Sequence, residues 1–276
     1  VWARLQSFMD MQGGDAMGST MRLTAFLGIA ALACAVQVSA QGQIGTVGGG
    51  HLEWRACERA RALLAAGRLP AQSHTVLLGP SLGQCCGGQV TLRFEYADAS
   101  DREVLAERLR AMHTPVALFG GGHVGRAIVQ ALAPLPFDVT WIDSRDGVFP
   151  PNLPAQVTTE HSDPVHAAVR DVPVGACVLV MSFSHAEDLD VVAACLQRQR
   201  ERGDLPFVGL IGSRTKWATF RHRLEARGFS EAELAHVTCP IGLPGIAGKA
   251  PEVIAASVAA QLLLGLSENA PPRENP

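Results

Sequence analysis

Apolar positions follow two different rhythms along the chain. From residue 114 onward, short β-branched or aromatic runs alternate with longer stretches of helical spacing. The strand-like runs are Val116–Phe119, Phe137–Ile142, Cys177–Met181 and Phe207–Ile211. Between them lie a helical stretch from His123, a helix around Pro164–Arg170, one from Ala186 to Gln199, one from Arg214 to Arg227 and a last one from Pro251 to about Leu266. Strands alternating with helices of this length predict a parallel sheet covered on both faces, a Rossmann-like doubly wound α/β domain over residues 114–266. Residues 1–97 are less regular: a strand-like QIGTVGG, a helix from His51 to Ala66, and the runs SHTVLL and QVTLRFEY predict a small α+β domain. Between the two, residues 98–113 open with the capping residues Asp98, Ser100 and Asp101 and continue as a charged amphipathic helix that stops before Thr114-Pro115, a connector. Residues 267–276 read as a disordered tail.

Composition narrows the class. A chain of 276 residues is long enough for two domains with a core in each. With 47% hydrophobic residues, 18% charged and a formal net charge of -3, it lacks the basic excess of a nucleic-acid binder. The 7 cysteines form neither a disulfide framework nor a zinc spacing, which points to a reducing cytoplasm. One segment pulls the other way. From Met21, MRLTAFLGIAALACAVQVSAQGQ carries an apolar run from Leu23 to Val38 and a Val38-Ser39-Ala40 ending like a signal-peptidase site. Its place twenty residues into the chain argues against export, and a run of about 16 residues falls short of the ~20 of a membrane span. The expectation is a cytoplasmic chain with no membrane segment.

The chemistry gathers at strand ends. VALFGGGHVG sets Gly120-x-Gly122-x-x-Gly125 between a strand and a helix, and Asp143 closes the next strand. In a dinucleotide site the glycines allow a tight turn and close approach of a phosphate, helix amides receive it, and the acid holds a ribose hydroxyl. MSFSHAEDLD places His185 just past a strand as an acid/base or ligand contact, while Ser184 and Glu187 equally read as a helix capping box. GLIGSRTKW offers Arg214 and Lys216, and CPIGLPGIAGKAPE offers Cys239 and Lys249. Both lysines of the chain thus lie in glycine-containing loops that open helices, which predicts an electropositive pocket for phosphate; surface lysines at helix starts are the plainer reading. On these residues alone an NAD-dependent oxidoreductase using His185 stays open. In SLGQCCGGQV, the neighbours Cys85 and Cys86 would bond to each other only through a strained peptide. They are either chemically active or two small buried residues at a strand start.

Five motifs in order, GTVGGGHLEW, LGPSLGQCCGG, VALFGGGHVG, GLIGSRTKW and CPIGLPGIAGKAPEVIAASVAAQLL, resemble those of the xanthine dehydrogenase accessory proteins, the XdhC and CoxI family, over roughly residues 42–266. The resemblance implies a chaperone, not an enzyme, that binds the molybdenum cofactor (molybdopterin) as cargo. It would keep the cofactor while a cysteine desulfurase supplies its sulfido ligand, then deliver it to apo xanthine dehydrogenase; a homodimer is compatible with this. It assigns Cys85 and Cys86 as contacts to the molybdenum, soft thiolates suiting a sulfur-bound metal, and the Gly120–Gly125 turn, Asp143, His185, Arg214, Lys216 and Lys249 to the rest of the cargo or to a nucleotide. The family pattern also has a β-strand region before the GTVGGG stretch. Residues 15–40 show no such region in the sequence, and a frameshifted or misassigned N-terminus is the expected reason.

Overall fold

The computed structural model describes residues 20–26, 34–39, 42–79, 88–101, 103, 104, 107 and 113–268. The described residues divide into two compact units, one within residues 20–107 and one within residues 113–268.

Among the described residues, the first unit is a five-stranded antiparallel sheet with one helix against it. Its strands are β1 (Thr20–Phe26), β2 (Cys34–Val38), β3 (Gln43–Gly45), β4 (Gln72–Leu77) and β5 (Gln89–Ala97), in the order β3-β2-β1-β5-β4, and helix α1 spans Gly50–Ala65. The signal-like stretch therefore contains two strands. β1 is central, paired to β2 with Met21 opposite Val38 and Leu23 opposite Val36, and to β5 with Leu23 opposite Phe94. This corrects the expectation that residues 15–40 lack a strand region. Val36 and Val38 are fully buried on the face that α1 covers, so these two positions are apolar because they enter the core. The same face takes Val90, Leu92 and Phe94 of β5, whose alternate positions point away, the two-residue period of a half-buried strand. Ahead of α1, Glu53 gathers the GTVGG turn: its carboxylate accepts hydrogen bonds from the Thr46 hydroxyl, the Val47 and Gly49 amides and Gln43. Burial would raise this carboxyl, and these donors more than reverse it, leaving it below the usual carboxylate range.

The second unit is a six-stranded sheet with every described pair parallel. Its strands are β6 (Thr114–Phe119), β7 (Phe137–Asp143), β8 (Val157–His161), β9 (Cys177–Val180), β10 (Phe207–Leu210) and β11 (Val237–Thr238), in the order β11-β10-β9-β6-β7-β8. The chain runs outward from β6 to β8, then returns to place β9 on the other side of β6. That is the doubly wound Rossmann order, with its reversal between β6 and β9. The helices are α2 (His123–Leu132), α3 (His185–Arg202), α4 (Arg214–Ala226), α5 (Glu231–Leu234) and α6 (Pro251–Glu268). Alternate residues of β6 feed opposite faces: Ala117 and Phe119 enter a core with Val191, Leu196 and Phe220 of α3 and α4, and Val116 and Leu118 one with Ile128, Leu132 and Val258 of α2 and α6. Burial on both sides is why these strands read as continuous apolar runs. The helix expected around Pro164–Arg170 is a 3-10 segment, Val165–Asp171. Pro164 and Pro173 bracket it closely, leaving little room for α-helical turns. Of the connector, Ala99–Asp101 forms a 3-10 turn and most of the remainder lies outside the described residues, as do residues 269–276 of the tail. Among the described residues, no helix is long and apolar enough to cross a membrane.

A chain starting at Gln41 would lose β1 and β2, and with them the centre of the first sheet. Limited proteolysis of that truncated chain should digest residues 42–101 while a fragment covering 113–268 survives. Resistance equal to that of the full chain would show that the two strands are dispensable.

Candidate functional site

The reversal between β6 and β9 opens at the carboxyl ends of the strands, where doubly wound sheets bind ligands. Gly120 leaves β6 there, its amide donating to the Ile142 carbonyl at 2.8 Å and its own carbonyl accepting from the Trp141 indole at 2.9 Å. The turn is closed so tightly that a Cβ on Gly120 would lie 2.0 Å from the Met181 carbonyl oxygen, and one on Gly125 2.1 Å from the Gly120 oxygen. With φ at +125° as well, Gly120 admits no side chain. Gly122 differs. Its φ is -74°, it is exposed, and nothing stands within 4 Å of where its Cβ would be. As N-cap of α2 it supplies no side-chain oxygen, whereas α3, α4 and α5 are capped by Ser184, Ser213 and Ser230. Among these four helices α2 alone leaves its first-turn amides without a side-chain cap, and unsatisfied amides at a helix N-terminus favour an anion.

Asp143 does something other than wait for a ribose. Its side chain is 1% exposed. One oxygen accepts from the Gly121 amide at 2.5 Å and from Arg145 Nη2 at 2.9 Å, and the other from the Arg145 amide and Nε, both at 2.9 Å. Four donors fill the roughly four lone-pair sites of a carboxylate, so none is left for a hydroxyl. Burial would raise this carboxyl; the Arg145 guanidinium and the Gly121 amide outweigh that and hold it below the usual range. Arg145 in turn stacks on the exposed Phe183 ring, 4.5 Å from its centroid, across the reversal on the loop after β9. Glu187 adds a second tie between the same loops, accepting from the Ser144 hydroxyl at 2.7 Å and the Phe183 amide at 3.0 Å. The capping box read from Ser184 and Glu187 is thus half formed: Ser184 accepts from the Glu187 amide, while the Glu187 carboxylate goes elsewhere.

Farther along the edge, Lys216 is committed as well. Its ammonium donates to Asp188 at 2.6 Å and to the Ile211 carbonyl at 2.8 Å, and Asp188 also accepts from the Ser182 amide at 2.7 Å. Burial pushes the Asp188 carboxyl up, and the Lys216 ammonium offsets part of the rise. Cys239 sits beside this pair; burial pushes its thiol up to about 11, so at neutral pH it is a thiol rather than a thiolate. Arg214 is the exposed first residue of α4, and His185 the exposed first residue of α3 with its ring edge-on to Phe220. Lys249 is exposed in the loop before α6, a loop tied back to that helix by Gly242 and Leu243 amides donating to Gln261 and Ser257.

The structure therefore brings together Gly120, Gly122, Gly125 and Asp143. It commits Lys216 to Asp188 and leaves His185, Arg214 and Lys249 exposed at the starts of helices or in the loop before one. Cys85 and Cys86 lie outside the described residues; the chain enters and leaves their segment at Gly79 and Gly88, where the Leu78 amide donates to the Gly88 carbonyl at 2.8 Å. Sequence reasoning missed Arg145, for which an arginine two residues past the strand-end acid was the available signal. It placed Asp188 with His185 at the strand edge and Glu187 in a capping box, and neither reading contained the ties that these acids make to Lys216 and Ser144.

A glycine turn without a side-chain cap, at the reversal of a doubly wound sheet, defines a Rossmann-type domain, here with its strand-end acid turned inward. The family model for the XdhC Rossmann domain matches residues 116–262, and that for the XdhC and CoxI family matches residues 33–73. The chain belongs to the XdhC and CoxI family. The uncharacterized protein YqeB of Escherichia coli (strain K12) is 28% identical over 262 residues, which are 93% of this chain and 43% of that protein, so the chain spans less than half of that relative's length. A crystal structure described as a xanthine dehydrogenase from Bacillus halodurans superposes with a TM-score of 0.71 at 16% identity, covering 98% of this chain and 97% of that one, a likeness of fold.

The Asp143 arrangement predicts a pH effect of definite sign. A carboxyl whose folded pKa is lowered adds stability that is complete above its unfolded value near 3.9 and is lost as pH falls through the folded value. Asp143→Asn should therefore lower stability at neutral pH and flatten the fall in denaturation midpoint below about pH 4. A wild-type acid limb in that variant would show that Asp143 carries no linked stability.

Proposed function

We propose that this chain is a maturation factor for a xanthine-dehydrogenase-type enzyme. It binds the molybdenum cofactor as cargo, keeps it while a cysteine desulfurase supplies the sulfido ligand, and delivers it to the cytoplasmic apo-enzyme. Family membership supports the class, and the description of the Bacillus halodurans structure supports the link to xanthine dehydrogenase. The observation that carries the cargo reading is the uncapped α2 N-terminus behind the open Gly122, which would receive the cofactor's phosphate on first-turn amides. Arg214 and Lys249, both exposed, are the cations left to assist; Lys216 acts by holding the loops. On this reading Cys85 or Cys86 supplies a thiolate to the molybdenum end.

The alternative, an NAD-dependent oxidoreductase, is disfavoured by one specific observation. The acid that would recognise the ribose has all its acceptor sites filled by Gly121 and Arg145. Its proposed acid/base, His185, is exposed at a helix start with an aromatic ring as its described neighbour.

Equilibrium binding of purified molybdenum cofactor and of NAD(H) to the full chain, side by side, separates the two. Wild-type protein should retain the cofactor and bind NAD(H) weakly or not at all. Gly122→Val fits the backbone without a clash and places bulk where the phosphate would approach, so it should lose cofactor affinity at least tenfold while its melting temperature stays near wild type. Tight NAD(H) binding with no cofactor retained would overturn the proposal. Wild-type retention in a double Cys85→Ala, Cys86→Ala variant would remove the thiolate contact alone.

A further inference from the structure

Helix α1 covers less of the first sheet than the sheet offers. It packs mainly over β1, β2 and β5 and leaves the inward positions of the edge strand β4 partly open. Val76 is half-buried and His74 is exposed, although their β5 partners Val90 and Leu92 are buried. The gap between α1 and that edge is a cavity of about 240 Å³. Its floor includes Leu92 and Phe94, and Arg55, Arg59 and His74 line it as well.

The charges around this cavity are one-sided. Arg55 and Arg59 stand four residues apart on α1 and share a helix face, where like charges repel. The acids of the same helix are committed elsewhere: Glu53 to the turn at Thr46–Gly49 and Glu58 to Arg61, at 3.6 Å. Nearby on β5, Glu95 pairs with Arg93 at 2.9 Å. The Arg59 guanidinium lies over the Phe94 ring, 5.8 Å from its centroid, a contact that leaves its charge in place. Among the described residues no acid pairs with either arginine, and two arginines lining one cavity above an apolar floor form a site that is electrostatically incomplete.

We propose that this cavity binds a small organic anion. The ligand class is a carboxylate or phosphate monoester on a compact, flat apolar body. The guanidinium groups of Arg55 and Arg59 would take the oxygens in charge-assisted hydrogen bonds, and the body would rest on Leu92 and Phe94. The volume lies below the ~300 Å³ at which ligand pockets usually begin, which limits the body to about one ring and excludes a dinucleotide. The proposal concerns the first unit only and stands independently of the cargo reading.

Isothermal titration of the full chain with phenyl phosphate, benzoate, inorganic phosphate and benzyl alcohol tests it. At least one of the two aromatic anions should bind saturably and at least tenfold tighter than either inorganic phosphate or benzyl alcohol, and which one does so tells phosphate from carboxylate. A double Arg55→Gln, Arg59→Gln variant, with its melting temperature confirmed near wild type, should weaken that binding at least tenfold. Arg223→Gln, which removes an exposed charge from α4, outside the cavity, should leave it unchanged. Three results would each overturn the site: no binding of either aromatic anion at millimolar concentration, equal binding of benzyl alcohol, or equal binding by the double variant.

Discussion

The second unit depends on one buried carboxylate. Asp143, at the end of β7, holds the Gly121 amide on one side and the Arg145 side chain and amide on the other. The turn that leaves β6 would otherwise be free to choose its path, because glycines offer many backbone conformations. With Asp143 pinning Gly121, and Gly120 pressed against the Met181 carbonyl, that path is fixed relative to both neighbouring strands. The consequence lies one residue on. Gly122 stands clear, and the α2 amides behind it face outward without a capping side chain. A carboxylate used in this way shapes the open turn and has no acceptor site left for a ribose.

The same economy recurs at the neighbouring strand ends. Asp188 organises the loop after β9 through the Ser182 amide and fixes Lys216, which also holds the end of β10 through the Ile211 carbonyl. Burying such a pair costs desolvation, and removing either partner would strand the other charge. Lys216 therefore contributes order to the edge, and the positive charge it exposes comes from Arg214 and Lys249. Arg145 links the two systems by reaching from the Asp143 carboxylate to the Phe183 ring. On the proposed reading, a phosphate would meet backbone amides first and the exposed cations Arg214 and Lys249 second.

Much of the Rossmann unit was legible because its signals are local. The alternation of apolar runs with helices, the Gly120–Gly125 spacing and the acid at Asp143 each reflect short-range constraints, and the strand order follows from right-handed crossovers between parallel strands. What stayed hidden was pairing across the sequence. Nothing local says that Asp143 spends its oxygens on Gly121 and Arg145, or that Lys216 reaches Asp188, since those contacts form only when strand ends meet. The first unit hid its centre for another reason. The run from Leu23 to Val38 is as apolar as a signal peptide because β1 and β2 pair with each other and Val36 and Val38 enter the core, and hydropathy alone does not separate those cases. Likewise nothing local sets the arginines at 55 and 59 apart from any charged helix face, since the open edge of β4 beside them is a neighbour only in the fold.

The central claim is that the turn at Gly122 receives the phosphate end of the cargo. The most direct measurement compares the affinity of the full chain for the molybdenum cofactor with and without its phosphate, in wild type and in Gly122→Val. The account predicts that removing the phosphate weakens wild-type binding at least tenfold and changes the variant's affinity little, because both manipulations delete one interaction. Equal affinity of the wild type for the two forms of the cofactor would contradict it.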